Sequence, residues 1–279
     1  MTDKGACSYA VNTYSYTLDF SAEDCFARLA EQGFSQFELM MYPGHAWPPE
    51  MDAGQRKALT GFIGQSGLRL TTLNMPNVDL NIAGAAPEMR AHTLSLLKGV
   101  VELAGDLGVP GVIIGPGKYN PLFPAPREQL MGWFHQGLDT LLPLAARAGT
   151  SIWVENMPFA FLPRAEDVME ALDGYGVEEV GVVYDIANGE FIGEDLGQGL
   201  RTMQPRLRLI HLSDTGREVY RHDPVGQGTV PFEEVAGHIL AMGYQGALVL
   251  EIISREPDSD LPDSVSRLAR QGFDALVLD

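Results

Sequence analysis

Four short apolar runs in the second half of the chain each end in a side chain that can bind a cation or move a proton. They are Ile152-Trp153-Val154 before Glu155, Val182-Val183-Tyr184 before Asp185, Leu209-Ile210 before His211, and Leu248-Val249-Leu250 before Glu251. A continuous β-branched or aliphatic run is the pattern of a strand buried on both faces. A carboxylate closing such a strand is costly unless something cationic meets it. Two glutamates, one aspartate and one histidine at successive strand ends can converge on a single divalent ion. Three carboxylates and one imidazole make a hard, oxygen-dominated donor set, suited to Mn2+ first, then Mg2+ or Co2+, with Zn2+ also open. Taken singly, each residue has a plainer reading: an N-cap or loop ion pair for Glu155 or Asp185, a satisfied core imidazole for His211. Recurrence at matching positions on consecutive strands favours one shared site.

The elements that must position these residues alternate along the whole chain. Strands are expected at Cys7 to Tyr14, Gln36 to Tyr42, Leu68 to Met75, Val112 to Ile114, Ile152 to Glu155, Val180 to Asp185, Leu207 to His211 and Leu248 to Glu251. Helices are expected at Ala22 to Gln32, Asp52 to Gln65, Pro87 to Leu107, Arg127 to Ala148, Ala165 to Leu172, Asp195 to Met203, Phe232 to Met242 and Asp263 to Leu276. Ser21 before Glu23 and Asp24 is a helix start, and Gly33, Gly108 and Gly149 are helix stops. Strand–helix alternation implies a parallel sheet. Eight such units, with no linker or composition break across 1–279, imply a single (β/α)8 TIM barrel. A doubly wound sheet would place a Gly-rich turn after its first strand, and Asn12-Thr13-Tyr14-Ser15 offers none.

Composition narrows the partners. With 19 Lys and Arg against 37 Asp and Glu, the net charge of −18 argues against a nucleic-acid surface, which needs clustered cations. No apolar run approaches the ~20 residues that cross a membrane. Cys7 and Cys25 sit in apolar patterns and form no disulfide framework, and no basic-then-apolar leader opens the chain. A reduced, cytoplasmic protein is the expectation.

The motifs Val154-Glu155-Asn156-Met157-Pro158, Tyr184-Asp185-Ile186-Ala187-Asn188, His211-Leu212-Ser213-Asp214, Gly226-Gln227-Gly228 and Leu250-Glu251-Ile252 resemble those of the xylose-isomerase-like superfamily. That superfamily holds sugar isomerases and epimerases and the endonuclease IV type of repair enzyme. Glu155, Asp185, His211 and Glu251 match, in order and spacing, the four metal ligands of its ketose 3-epimerase branch. Arg217 matches an arginine that holds a substrate oxygen there. Pro158 and Asn188 depart from that branch, where a glutamate and a histidine touch sugar hydroxyls. His222, before the Gly-x-Gly turn, resembles a histidine of the endonuclease branch. That branch also has histidines after its second and third strands, where this chain has His45 and Asn74.

The resemblance implies an enzyme with one bound divalent ion. Glu155 and Glu251 would be base and acid in proton transfer through a metal-stabilised enediolate of a sugar, keto-sugar or sugar phosphate. Arg217, His222, Asn188 and Trp47 are the expected substrate contacts. The alternative is a metal-dependent dehydratase or lyase acting on an inosose or 3-keto-glycoside; a phosphodiesterase and a non-catalytic sugar-binding barrel rank below it. A homodimer or homotetramer is the expected assembly.

Overall fold

Side chains on a strand alternate between two faces, and that parity organises the molecule. In the computed structural model, which describes residues 7–77 and 79–276, eight parallel strands pair in chain order and close into a barrel. They are β1 (Cys7–Asn12), β2 (Phe34–Met40), β3 (Arg69–Asn74), β4 (Gly111–Ile114), β5 (Ser151–Glu155), β6 (Val180–Asp185), β7 (Leu207–Leu212) and β8 (Ala247–Leu250). One parity points outward to the helices. Val11, Phe37, Val154, Tyr184 and Leu250 belong to this larger core and are fully buried.

The other parity fills the barrel. Ala10, Ile113, Trp153, Val183, Leu209 and Val249 form a separate apolar plug inside it. Trp153 is its largest member, and two glycines leave room for the indole. A Cβ at Gly111 or Gly181 would overlap the Trp153 ring. Two residues further along each strand, the same parity brings Asn12, Gly115, Glu155, Asp185, His211 and Glu251 to the C-terminal rim. Each of these six positions except Gly115 therefore seats a polar side chain directly above the apolar plug.

The helices are α1 (Ala22–Glu31), α2 (Ala53–Gln65), α3 (Pro87–Leu107), α4 (Arg127–Ala148), α5 (Ala165–Ala171), α6 (Ile186–Phe191), α7 (Leu196–Met203), α8 (Phe232–Ala241) and α9 (Pro257–Arg270). Ser21 caps α1 through Asp24 N–H, and Asp52 with Gln55 forms a capping box on α2. Strand ends shift by up to two residues, and two helices differ more from the sequence-based expectation. The closing helix α9 opens at Pro257, not Asp263, because Pro262 lies within its first turns instead of before its start. Pro257 at the helix opening needs no N–H partner, and Pro262 removes only one early bond. The short α6 was not expected; it begins at the residue after Asp185, whose carboxylate caps it through Asn188 N–H at 2.7 Å. Among the described residues, no helix is long and apolar enough to cross a membrane. Cys25 is buried and free; the Cys7 side chain lies outside the described residues.

Candidate metal centre

Glu155, Asp185, His211 and Glu251 offer one ligand atom each, all within 4.8 Å of one another and all buried. Three carboxylates surround a single ring nitrogen. His211 Nδ1 lies 2.7 Å from Glu155 Oε1, 3.2 Å from Glu251 Oε2 and 3.7 Å from Asp185 Oδ2. One imidazole nitrogen carries at most one proton, so it cannot satisfy three carboxylates. Asp185 Oδ2 is buried and receives no hydrogen bond, while its Oδ1 is taken by Asn188 N–H. An orphaned carboxylate oxygen facing two other carboxylates is what a divalent cation would repair. The donor set therefore fits a metal ion.

Asp185 is also held from behind. Its backbone N–H donates to Asn156 Oδ1 at 2.7 Å, and Asn156 Nδ2 donates to the Asp185 carbonyl at 3.1 Å. This explains Asn156 in the strand-five motif as a brace between neighbouring strand ends.

A fourth carboxylate completes the cluster, and the sequence reading passed over it. Glu38, on β2, is fully buried and lies 2.9 Å from His211 Nε2. Asn12 Nδ2 at 2.6 Å, Thr72 Oγ1 at 2.5 Å and Asn74 Nδ2 at 2.9 Å also donate to it. Its signal in the sequence was a charge in the middle of the apolar run Phe37-Glu38-Leu39-Met40. Burial opposes ionisation of Glu38, but His211 and these donors outweigh it, so its carboxyl stays below the ordinary value. Burial likewise opposes a charge on His211, yet Glu251, Glu38 and Glu155 raise its pKa well above the ordinary imidazole value. Without a metal, His211 is thus an imidazolium bridging Glu155 and Glu38. With an ion held by the cluster, Nε2–H donated to Glu38 would fix the ring's orientation.

The loop after β7 brings in His222. Asp214 organises this loop: its carboxylate accepts from Thr215 N, Gly226 N and Val230 N, and its backbone bridges Asp223. The Gly226-Gln227-Gly228 turn is thereby tied to Asp214, three residues beyond His211. His222 is buried, with Nδ1 3.5 Å from Glu251 Oε2 and 3.7 Å from Asp185 Oδ2. Its proton placement follows from its partners. Asn188 Oδ1 can only accept, so Tyr220 donates to it at 2.6 Å; the Tyr220 oxygen then accepts from His222 Nε2–H at 2.7 Å. That leaves Nδ1 to accept from the Ser213 hydroxyl at 3.0 Å. Burial lowers the His222 pKa below the ordinary imidazole value, in keeping with a neutral ring.

A cavity of about 380 Å3 opens above this floor. Glu155, Glu251 and His222 line it; Asp185 and His211 do not, being sealed beneath. The remaining sequence candidates are placed elsewhere. Arg217 is largely exposed and paired with Glu190, Nε to Oε1 at 2.9 Å, which turns its guanidinium toward that acid and away from the cavity lining. Asn188 is buried behind the wall, with Nδ2 donating to the Asn156 carbonyl at 2.8 Å. Trp47 is partly buried and packs against the outer core. His45 is bound at both ring nitrogens, Nδ1 to the Phe20 carbonyl at 2.7 Å and Nε2 to Thr13 Oγ1 at 2.9 Å, and serves loop structure.

The family model described as xylose isomerase-like TIM barrel matches residues 26–274. The chain belongs to that family. Among curated relatives, this xylose isomerase-like barrel is 21% identical over 206 residues to L-ribulose-5-phosphate 3-epimerase UlaE of Salmonella paratyphi A, covering 74% of this chain and 72% of that one. Among solved structures it superposes on a D-tagatose 3-epimerase-like protein with a TM-score of 0.82 at 19% identity, covering 96% of this chain and 99% of that one. It also superposes on 3-keto-D-glucoside 4-epimerase of E. coli with a TM-score of 0.77 at 19% identity, covering 95% and 99%. At such identities the superpositions speak for the fold.

Within the xylose isomerase-like barrel, the four ligand positions divide by access. Asp185 and His211 are sealed beneath the cavity and could serve only as ligands; Glu155 and Glu251 could be ligands and also meet whatever enters it. Burial raises the pKa of both, Glu251 well above the carboxylate range, each against the pull of His211.

Proposed function

We propose that the protein is a divalent-metal-dependent sugar epimerase or isomerase that moves a proton on the carbon beside a substrate carbonyl. The observation that carries this reading is that Glu155 and Glu251, alone of the four ligand carboxylate and imidazole groups, line the cavity. The epimerase names of the relatives support it.

Glu155, Asp185, His211 and Glu251 would hold the ion, Mn2+ by preference for this oxygen-rich set. When bound, the ion supplies Lewis-acid polarisation of the substrate carbonyl, which acidifies the adjoining C–H. Glu155 and Glu251 reach the site from β5 and from the end of β8, so two carboxyl groups bracket a substrate on the cavity floor. One carboxylate takes the proton from carbon; the other, protonated, returns a proton. Return to the same carbon from the opposite face inverts it; return to the neighbouring carbon isomerises the sugar. The neutral His222, held at Nδ1 by Ser213 and at Nε2 by Tyr220, gives the cavity floor a fixed wall beside Glu251. Asp185 and His211, without solvent access, keep the ion in place through the cycle.

The test is solvent-deuterium incorporation into a panel of keto-sugars by the metal-loaded protein, with Glu155→Gln and Glu251→Gln beside it. The expected result is exchange at one carbon, reduced at least ~100-fold in either variant, as general acid–base groups contribute ~100–10,000-fold. Exchange that survives both substitutions removes these two residues from the chemistry.

A further inference from the structure

Two of the ligand carboxylates line the cavity, and the barrel holds them differently. Among the described residues, Glu155 has a single hydrogen-bond partner, His211, at Oε1. Glu251 is held at both oxygens. Its Oε2 lies 3.2 Å from His211 Nδ1, and its Oε1 accepts from Asn12 Nδ2 at 3.2 Å. Register explains the difference. Val11 on β1 pairs with Leu250 on β8, so Asn12 and Glu251, one residue further along, meet as neighbours on the inward face. Ile114 on β4 pairs with Val154 on β5 in the same way, and the residue this sets beside Glu155 is Gly115, which has no side chain to offer.

Asn12 is itself immobilised. It is buried, and its Oδ1 accepts from Tyr14 N–H at 2.8 Å. An amide held by its oxygen turns its nitrogen the other way, here toward the acids. Both Nδ2 hydrogens are then committed, one to Glu38 Oε1 at 2.6 Å and one to Glu251 Oε1. The residue type matters. An amide gives each acid a donor without adding charge. A lysine or arginine here would compete with a cation for the same carboxylates, and an aspartate would add a further acid to the cluster.

We propose, resting on the epimerase reading above, that Asn12 is a positioning residue that ties Glu251 to β1 and makes the two cavity carboxylates unequal, Glu251 fixed and Glu155 the one that turns toward substrate. Proton transfer on the face that Glu251 serves therefore depends on Asn12. Transfer on the face that Glu155 serves does not.

The test compares Asn12→Ala with the parent, and Asn12→Ser carries it should the alanine variant fail to fold. The probes are D-fructose with D-psicose, D-tagatose with D-sorbose, and D-ribulose with D-xylulose; the pair that the Mn2+-loaded parent inverts fastest is used. Each epimer is supplied separately in D2O. Inversion must slow equally in both directions, since the equilibrium between the epimers is unchanged. The telling quantity is deuterium in the recovered starting sugar relative to inversion. From the epimer whose C–H faces Glu155 that ratio is expected to rise at least ~10-fold, because the proton is taken as before but poorly returned from the other face. From the other epimer it is expected to stay as in the parent. A ratio that rises from both epimers, or from neither, overturns the proposal.

A second readout needs no turnover. All four ligands remain in the variant, so chelator competition is expected to show Mn2+ affinity reduced by less than ~10-fold. A greater loss means that Asn12 supports the ion and not the place of Glu251, which also overturns the proposal. A parent that incorporates no deuterium, or incorporates it without inversion, sinks the epimerase reading and with it the parts given to the two carboxylates.

Discussion

His211 meets a carboxylate at each ring nitrogen, and the two contacts have different jobs. Nδ1 faces the ligand cluster, whereas Nε2 is held by Glu38. Glu38→Gln keeps an acceptor toward Asn12, Asn74 and His211 and turns its amide toward Thr72. The variant is therefore expected to fold yet to bind Mn2+ roughly 10–100-fold more weakly, the usual cost of losing a carboxylate behind a metal-bound imidazole. Competition titration with a chelator measures it; unchanged affinity removes Glu38 from the metal site's support. Proton linkage gives a second prediction. Because its neighbours raise the pKa of His211, a metal must displace its Nδ1 proton. Mn2+ affinity should fall as pH decreases and binding should release protons, which calorimetry in buffers of different ionisation enthalpy reads directly. Proton uptake, or affinity flat with pH, contradicts the imidazolium bridge.

At the scale of elements, β5 depends on space left by its neighbours. The Trp153 indole occupies the gap that Gly111 on β4 and Gly181 on β6 leave open. Gly111→Ala forces the ring from a buried plug and should cost about 1–3 kcal/mol in denaturant unfolding. It should also disturb Glu155, two residues along the same strand. A second contact anchors α9 to α1: Asp258 accepts from Tyr16, Arg28 and Gln32. Arg28 is the main cause holding the Asp258 carboxyl below its ordinary value. A depressed carboxyl stabilises the fold above its unfolded pKa, ~3.9, and loses that contribution as pH falls through the folded value. Asp258→Asn should lower the melting temperature at neutral pH by a small amount, since the pair is largely exposed. The gap between variant and parent should close below about pH 3.9. A gap that persists in acid means the carboxylate charge is not what joins the helices.

For the whole molecule, the barrel gathers four carboxylates and two histidines into one buried region while the chain carries a net charge of −18. A divalent ion bound only by the folded state stabilises it by mass action, ~2.7 kcal/mol at a free concentration 100 times Kd. Metal-stripped protein should therefore melt several degrees lower than the Mn2+-loaded form. Asp185→Ala should abolish the difference while its own metal-free form still folds, since the substitution removes an unsatisfied buried oxygen. Metal content after purification, near one ion per chain in the parent and none in the variant, checks the same point.

The chain's own pattern carried the architecture and the four residues that come together as the candidate metal cluster. Four apolar runs closing on Glu155, Asp185, His211 and Glu251 are legible because strand ends are local in sequence, and their alternation with helices implied the barrel that closes in chain order. What needed the tertiary structure was everything set by contacts across the barrel. Glu38 lies 173 positions from His211, and only closure of β2 opposite β7 brings them together. Long flexible side chains are decided the same way. Arg217 has the spacing of a substrate contact, and in the fold it is paired with Glu190, a partner that lies 27 positions away in sequence. Trp47 sits in a loop of the right kind but packs on the outer core. Which ligand carboxylates face solvent was likewise invisible in one dimension. Strand parity sends all four inward, and only the height of each within the barrel separates Glu155 and Glu251 at the cavity from Asp185 and His211 beneath it.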